Sequence, residues 1–198
     1  MNRMTEGHTV KRFDGEMSRL HGLVLELGRG AVAQIEQAVV TLQNEDPLAA
    51  RKVIDRDNEI NQLDIQAENE LFKLLATRQP MARYLRELIT VNHMVRDLER
   101  VGDQARKIAQ LTVHFYDNDS SPPNGQILRD VVSMAGFVGP MVAQAVEAFD
   151  LLDLDQALAV MRKDLELEAE FRSALRRQST FLMEDARSVG HVIDVVLA

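Results

Sequence analysis

Apolar residues recur at steps of three and four along almost the whole chain, and the alternation that marks strands between turn residues is missing. After Asp14, the positions Met17, Leu20, Val24, Leu27, Ala31, Ile35, Ala38 and Leu42 form one stripe, which predicts a first helix of about eight turns. "NEDP" then supplies a turn, with Asp46 as N-cap and Pro47 at the first helical position. A second helix is expected from there to about Thr77. "RQP" repeats the device, so Pro80 is expected to open a third helix that runs through Val113. The loop-like "YDNDSSPPNG", Tyr116 to Gly125, splits the chain. Beyond it Leu128, Val131, Ala135, Val138, Val142, Ala145, Phe149 and Leu152 predict a fourth helix, in which Pro140 should cause a kink rather than a break. After "LDLD" a fifth helix is expected over roughly Leu154 to Leu182, and a sixth begins within "MEDARSVGHVIDVVLA".

The two parts echo each other. An offset of 107 residues places Val53, Asp57, Ile60 and Ala67 on Val160, Asp164, Leu167 and Ala174, and the order of long helices and tight turns repeats with them. The expected fold is therefore all-α, built as two repeated three-helix bundles, over residues 1–120 and 121–198. Carried forward by the same offset, Glu99 and Asp103 would fall beyond Ala198, so the second unit is expected to lack most of its third helix.

Composition narrows the function classes. With 45% hydrophobic and 27% charged residues the chain has the balance of a soluble globular protein. A net charge of −8 argues against nucleic acid as a partner, because phosphate binding needs clustered Lys and Arg. The lack of cysteine removes disulfides, thiolate metal sites and Cys nucleophiles. The N-terminal segment forms no apolar h-region and no run of about 18 apolar residues occurs, so a cytoplasmic protein without direct membrane insertion is expected.

The stretch "RDLERVGDQARKIAQ", residues 96–110, carries the most chemistry. Gly102 lies on the apolar stripe Met81, Leu85, Leu88, Val91, Val95, Leu98, Gly102, Ala105, Ala109, although glycine inside a helix costs about 1 kcal/mol against alanine. Beside it runs a polar file of Asn92, Arg96, Glu99, Asp103, Arg106 and Gln110, in which Glu99 and Asp103 stand one turn apart and repel. Two readings follow: a solvated face laced with pairs such as Arg96 to Glu99 and Asp103 to Lys107, or carboxylates that bind a hard cation through oxygen. Asp57 lies at the edge of the second helix's stripe, Asp164 repeats that placement in the other half, and Asp164 and Glu168 are a further acid pair four apart. The histidines are scattered and none belongs to a Glu-x-x-His pattern. His93, six residues before Glu99, should lie nearly opposite it and is not expected as a ligand. "GRG" at 28–30 falls inside a helix with no strand before it, so it is no phosphate loop.

"RQPMARYLRELITVNHMVRDLERVGDQARKIAQL" closely resembles the signature of the PhoU family, with its "RQP" corner and "ERxGD" motif; "VIDRDNEINQLD" resembles the family's second helix and "LMEDARSVGHVIDVVLA" the matching corner of its second repeat. "ARYLR" departs from the family, which usually has an acid before the Leu-Arg, and the second "ERxGD" segment is absent. The resemblance implies six helices in two bundles and metal clusters held on the surface by the Glu/Asp-x-x-x-Asp motif, here Glu99 and Asp103 with Asp57 as the nearest acid of the neighbouring helix. Asp164 and Glu168 are the acids available in the second half. Iron, zinc, manganese and magnesium all accept carboxylates, so the ion, divalent or trivalent, is not specified. The implied role is a negative regulator of phosphate uptake and of the phosphate-starvation response, a signal-transduction protein and not an enzyme. Its implied partners are the ATPase of the phosphate ABC transporter and a sensor histidine kinase, and a homodimer is expected. The alternatives are a carboxylate-bridged metalloenzyme and a metal-free helical adaptor.

Overall fold

The computed structural model describes residues 3–117, 123, 125–184 and 189–197, and every element among them is a helix. They are α1 (Arg3–Gln43), α2 (Pro47–Arg78), α3 (Arg83–Tyr116), α4 (Gly125–Leu151), α5 (Leu154–Glu184) and α6 (Val189–Leu197). α1, α2 and α3 pack on one another as a bundle. α4 lies along α1, α5 lies along α4, and α6 closes on both α4 and α5.

The first stripe is what the pattern predicts: from Leu20 to Leu42 every one of its residues is buried. The helix starts earlier than expected, at Arg3 rather than after Asp14, because nothing between them breaks the backbone. α2 starts as expected. Asp46 accepts a 2.9 Å bond from the Ala49 amide, and Pro47 fills the first position, where its missing N–H costs nothing. The start of α3 differs. Pro80 does not open it; Gln79 and Ala82 take left-handed backbone with φ of 45° and 52°, and the helix begins at Arg83. Met81 and Leu85, expected on the packed stripe, are therefore exposed, while Leu88, Val91, Val95, Leu98, Gly102, Ala105 and Ala109 are buried. The Tyr116–Gly125 interval and the corner before α6 lie largely outside the described residues.

The 107-residue offset is visible in the two helix–helix turns. Glu45 and Leu152 both have positive φ, 55° and 52°. The Asp46 amide donates to the Thr41 carbonyl, and the Asp153 amide donates to the Ala148 carbonyl. Asp46 caps α2 through Ala49, and Asp153 caps α5 through the Gln156 amide at 3.0 Å. The same turn is thus built twice, by different residues except for the capping aspartate.

α4 continues through Pro140. Its expected stripe is only half realised: Ala145 and Leu152 are exposed, and Val146 and Ala148 are buried instead. The register is set on α1 by Gly28, where an added Cβ would come within 2.6 Å of a Val146 methyl. The "GRG" segment is thus a point of close helix approach. Although no unbroken apolar run exists, α4 is long and apolar enough, by length and composition, to cross a membrane. A polar cluster centred on buried Asp130 and Gln178 ties α4 to α5: Arg177, at the surface, donates to Asp130 at 2.7 and 2.9 Å and to Glu170 at 2.7 Å, and Gln178 bonds both Asp130 and the Ile127 carbonyl. An apolar cavity of about 530 Å³ lies between α3, α4, α5 and α6, with Val101, Ile108, Met134, Leu167 and Phe171 in its lining.

Candidate metal and docking face on α2 and α3

Helix α3 reaches α2 at Gly102. A Cβ there would meet Ile60 at 3.0 Å and Gln34 Oε1 at 3.3 Å, so the glycine lets three helices converge. This close approach brings the polar file of α3 against Asp57, a buried carboxylate of α2. Burying a charge is costly unless it is paired and hydrogen-bonded, and Asp57 is both. Gln34 Nε2 donates to it at 3.0 Å and Asn61 Nδ2 at 3.4 Å, while Arg106 Nε lies 3.1 Å from Oδ2. The other end of the same guanidinium pairs with Asp103. Arg106 therefore bridges the acids of α2 and α3, and the two carboxylates hold its proton more firmly than usual. Lys107 adds a weaker contact to Asp103 at 3.8 Å, the i, i+4 pair expected from sequence.

Glu99 has different surroundings. Partial burial pushes its carboxyl above the ordinary value, and the neighbouring charges of Asp64, Asp103 and Asp57 push the same way, with only Arg100 acting against them. Asp64 is also raised, by burial and by Glu68, and Arg96 opposes this. The Arg96 charge, expected from the sequence to pair with Glu99, thus acts on Asp64 of α2. Asp64, Glu68, His93, Arg96, Asp97, Glu99 and Arg100 line an open depression of about 500 Å³ between the two helices. His93 was expected on the far side from Glu99, yet both line this depression. The helix drifts only about 60° per three residues, and the depression is wide enough to take in both positions.

Of the five acids singled out from the sequence, the structure gathers Glu99, Asp103 and Asp57 on the α2–α3 face. Asp164 and Glu168 lie elsewhere, on α5, where they line the apolar cavity together with Gln104 and Ile108 from another side of α3. Glu168 is paired with Arg172 at 2.5 Å. Among the described residues, no three His, Asp or Glu side chains converge in an arrangement ready to hold an ion. Sequence reasoning missed Asp64, Glu68 and Gln34, and it missed the bridging role of Arg106. Asp64 carried a usable signal, since it stands seven residues, two turns, after Asp57.

Comparison with known proteins shows the family. Residues 24–112, from α1 to the end of the acid-bearing stretch of α3, match the PhoU domain. A "Phosphate-specific transport system accessory protein PhoU homolog" of Pseudomonas putida is 35% identical over 191 residues, which are 96% of this chain and 73% of that protein. The chain belongs to the PhoU family. A PhoU protein of Escherichia coli strain K12, named a phosphate-specific transport system accessory protein, is 26% identical over 94% of this chain and 76% of its own length. The crystal structure of PhoU from Pseudomonas aeruginosa superposes with a TM-score of 0.85 at 33% identity, covering 93% of this chain and 87% of that one. A phosphate transport system regulatory protein PhoU from Streptococcus pneumoniae, at 22% identity and a TM-score of 0.78, shares the fold. The PhoU relatives carry names of accessory and regulatory proteins, not of enzymes.

Proposed function

We propose that this chain is a nonenzymatic, cytoplasmic negative regulator of phosphate uptake and of the phosphate-starvation response. It acts through contact with the ATPase of a phosphate ABC transporter and with a sensor histidine kinase. The observation that carries this reading is similarity along nearly the whole chain to relatives named as accessory proteins of phosphate-specific transport. Deleting the gene should derepress phosphate-scavenging genes in phosphate-rich medium; unchanged expression would contradict it.

The α2–α3 face is the proposed seat of this regulation, with a metal cation as part of it. The donor set is oxygen only, which suits hard cations such as magnesium or manganese as well as iron and zinc. The fit rests on Glu99, whose carboxyl meets mostly like charge from Asp64, Asp103 and Asp57, whereas Arg106 already balances Asp57 and Asp103. Glu99 and Asp103, with Asp57, would hold the ion, and its chemistry would be charge neutralisation. Asp164 and Glu168, on α5, are proposed as a second, separate pair of metal-holding carboxylates. Elemental analysis of protein purified without chelators should find metal that a Glu99→Ala, Asp103→Ala variant lacks. Equal metal in both would leave the face as a metal-free helical adaptor surface.

A further inference from the structure

The α2–α3 side of the first bundle has an apolar end as well as a charged one. Ile65 and Phe72 of α2 are exposed and stand two turns apart on one side of the helix. Leu85 and Ile89 of α3 are exposed one turn apart, and Met81, in the corner between the helices, is exposed too. Phe72 lies one turn beyond Glu68 and Ile89 one turn before His93, and Glu68 and His93 both line the charged depression. The apolar residues therefore continue the depression toward the corner at Gln79 and Ala82. Single exposed apolar residues are ordinary, but a contiguous set drawn from two packed helices marks an interaction surface. Phe72 is 59% exposed and Ile89 49%, so neither contributes to the bundle core. The 107-residue offset gives an internal control. The positions matching Ile65 and Phe72 are Arg172 and Ser179, both exposed and polar, so the repeat itself does not require apolar residues there.

We propose that this surface docks an amphipathic helix of a partner protein, whose apolar side is followed along the helix by lysine or arginine. The apolar end supplies the seat, and charge selects the occupant. Past Phe72 and Ile89 the partner meets Asp64, Glu68, Asp97 and Glu99 against only Arg96 and Arg100, so basic side chains are attracted and acidic ones rejected. The same acids repel an anionic lipid surface. A second copy centred on the depression across a two-fold axis would bring acid onto acid. The stretch of α3 from Leu85 to Arg100 is about 22 Å long, so the groove takes a helix of about four turns. Apolar anchors spaced at three and four residues seat between α2 and α3 at the corner end, and the bases follow one turn on. The inference rests on reading the chain as a regulator that works by contact, and its apolar anchors lie outside the proposed metal ligands.

Fluorescence anisotropy of the 198-residue chain in chelator tests this with a labelled helical peptide of about four turns. The peptide has leucines at steps of four and three in its first half and lysines at the same steps in its second. It should bind with a dissociation constant on the order of micromolar to tens of micromolar, and the same peptide with glutamate for lysine should not bind. Phe72→Gln, Ile89→Gln should weaken binding by about 10-fold or more with unchanged helicity, since both side chains are at the surface. Asp64→Asn, Glu68→Gln should weaken it by roughly 3- to 10-fold and flatten its dependence on salt. Absence of binding overturns the proposal. So does binding that the glutamine variant leaves intact, because charge alone would then account for it. A chain that pairs with itself through these residues, or floats with anionic lipid vesicles, in place of taking the peptide also overturns it. If the glutamine variant fails to fold, hydrogen exchange of the wild type decides: the peptide should protect α2 around Glu68 and α3 around Ile89, and protection elsewhere alone contradicts the proposal. The peptide measurement involves no phosphate-regulated gene, so its failure is distinct from a failure of the gene-deletion experiment.

Discussion

At the scale of single residues, the α2–α3 face divides its acids into two kinds. Asp57 and Asp103 share the Arg106 guanidinium, so their charges are compensated within the fold. Glu99 meets mostly its own sign: burial and then Asp64, Asp103 and Asp57 raise its carboxyl above the ordinary 4.5. The folded protein therefore holds that proton more tightly than the unfolded chain does. By linkage, the contribution of Glu99 to stability is present below the ordinary carboxylate value and is lost as pH rises through the raised value. In chelator, Glu99→Gln should stabilise the protein at neutral pH by a few tenths of a kcal/mol, the size of a relieved like-charge pair. The gain should fade as pH falls below the carboxylate range. Thermal melts of both proteins across pH test this; a gain that grows toward low pH would contradict it.

At the scale of helices, Gly102 sets how closely α3 seats against α1 and α2. Alanine would gain about 1 kcal/mol of helix propensity. Its methyl would press on buried Ile60 at 3.0 and 3.2 Å, and overpacking of this kind costs about 1–3 kcal/mol. Chemical denaturation should show Gly102→Ala as neutral to about 2 kcal/mol destabilised and Gly102→Val as worse; a clearly stabilised alanine variant would mean that the helices can move apart freely. Which helices exist, and which face of α1 and of the central part of α3 is buried, was legible from three-and-four spacing, because those helices are covered along one side by two neighbours. The capped turns were legible too, through Asp46 and Pro47. The opening of α3 was not, because the left-handed residues at the corner are Gln79 and Ala82, types that do not announce such a conformation. Nor was the partial exposure of α4 and α5, which depends on how many neighbours each helix has. The acid pair on α3 was legible by spacing, whereas the Arg106 bridge joins residues of two helices and appears only when they pack.

At the scale of the whole molecule, the parts have different characters. The α1–α3 bundle has a continuous core around Leu27, Ile60, Leu74 and Leu98 and presents a charged depression on its α2–α3 side. The α4–α5 part holds together through Gly28 against Val146 and the Asp130–Arg177 cluster, and it presents apolar surface. A regulator that works by contact needs surfaces of distinct chemistry, and here they lie on separate helices. The acidic one lies within residues 24–112, which match the PhoU domain. The direct test of its role is complementation in a strain lacking the gene, with a phosphate-regulated reporter read in phosphate-rich medium at matched protein levels. The wild-type chain should restore repression and the Glu99→Ala, Asp103→Ala variant should not; full repression by the variant would contradict regulation through this face.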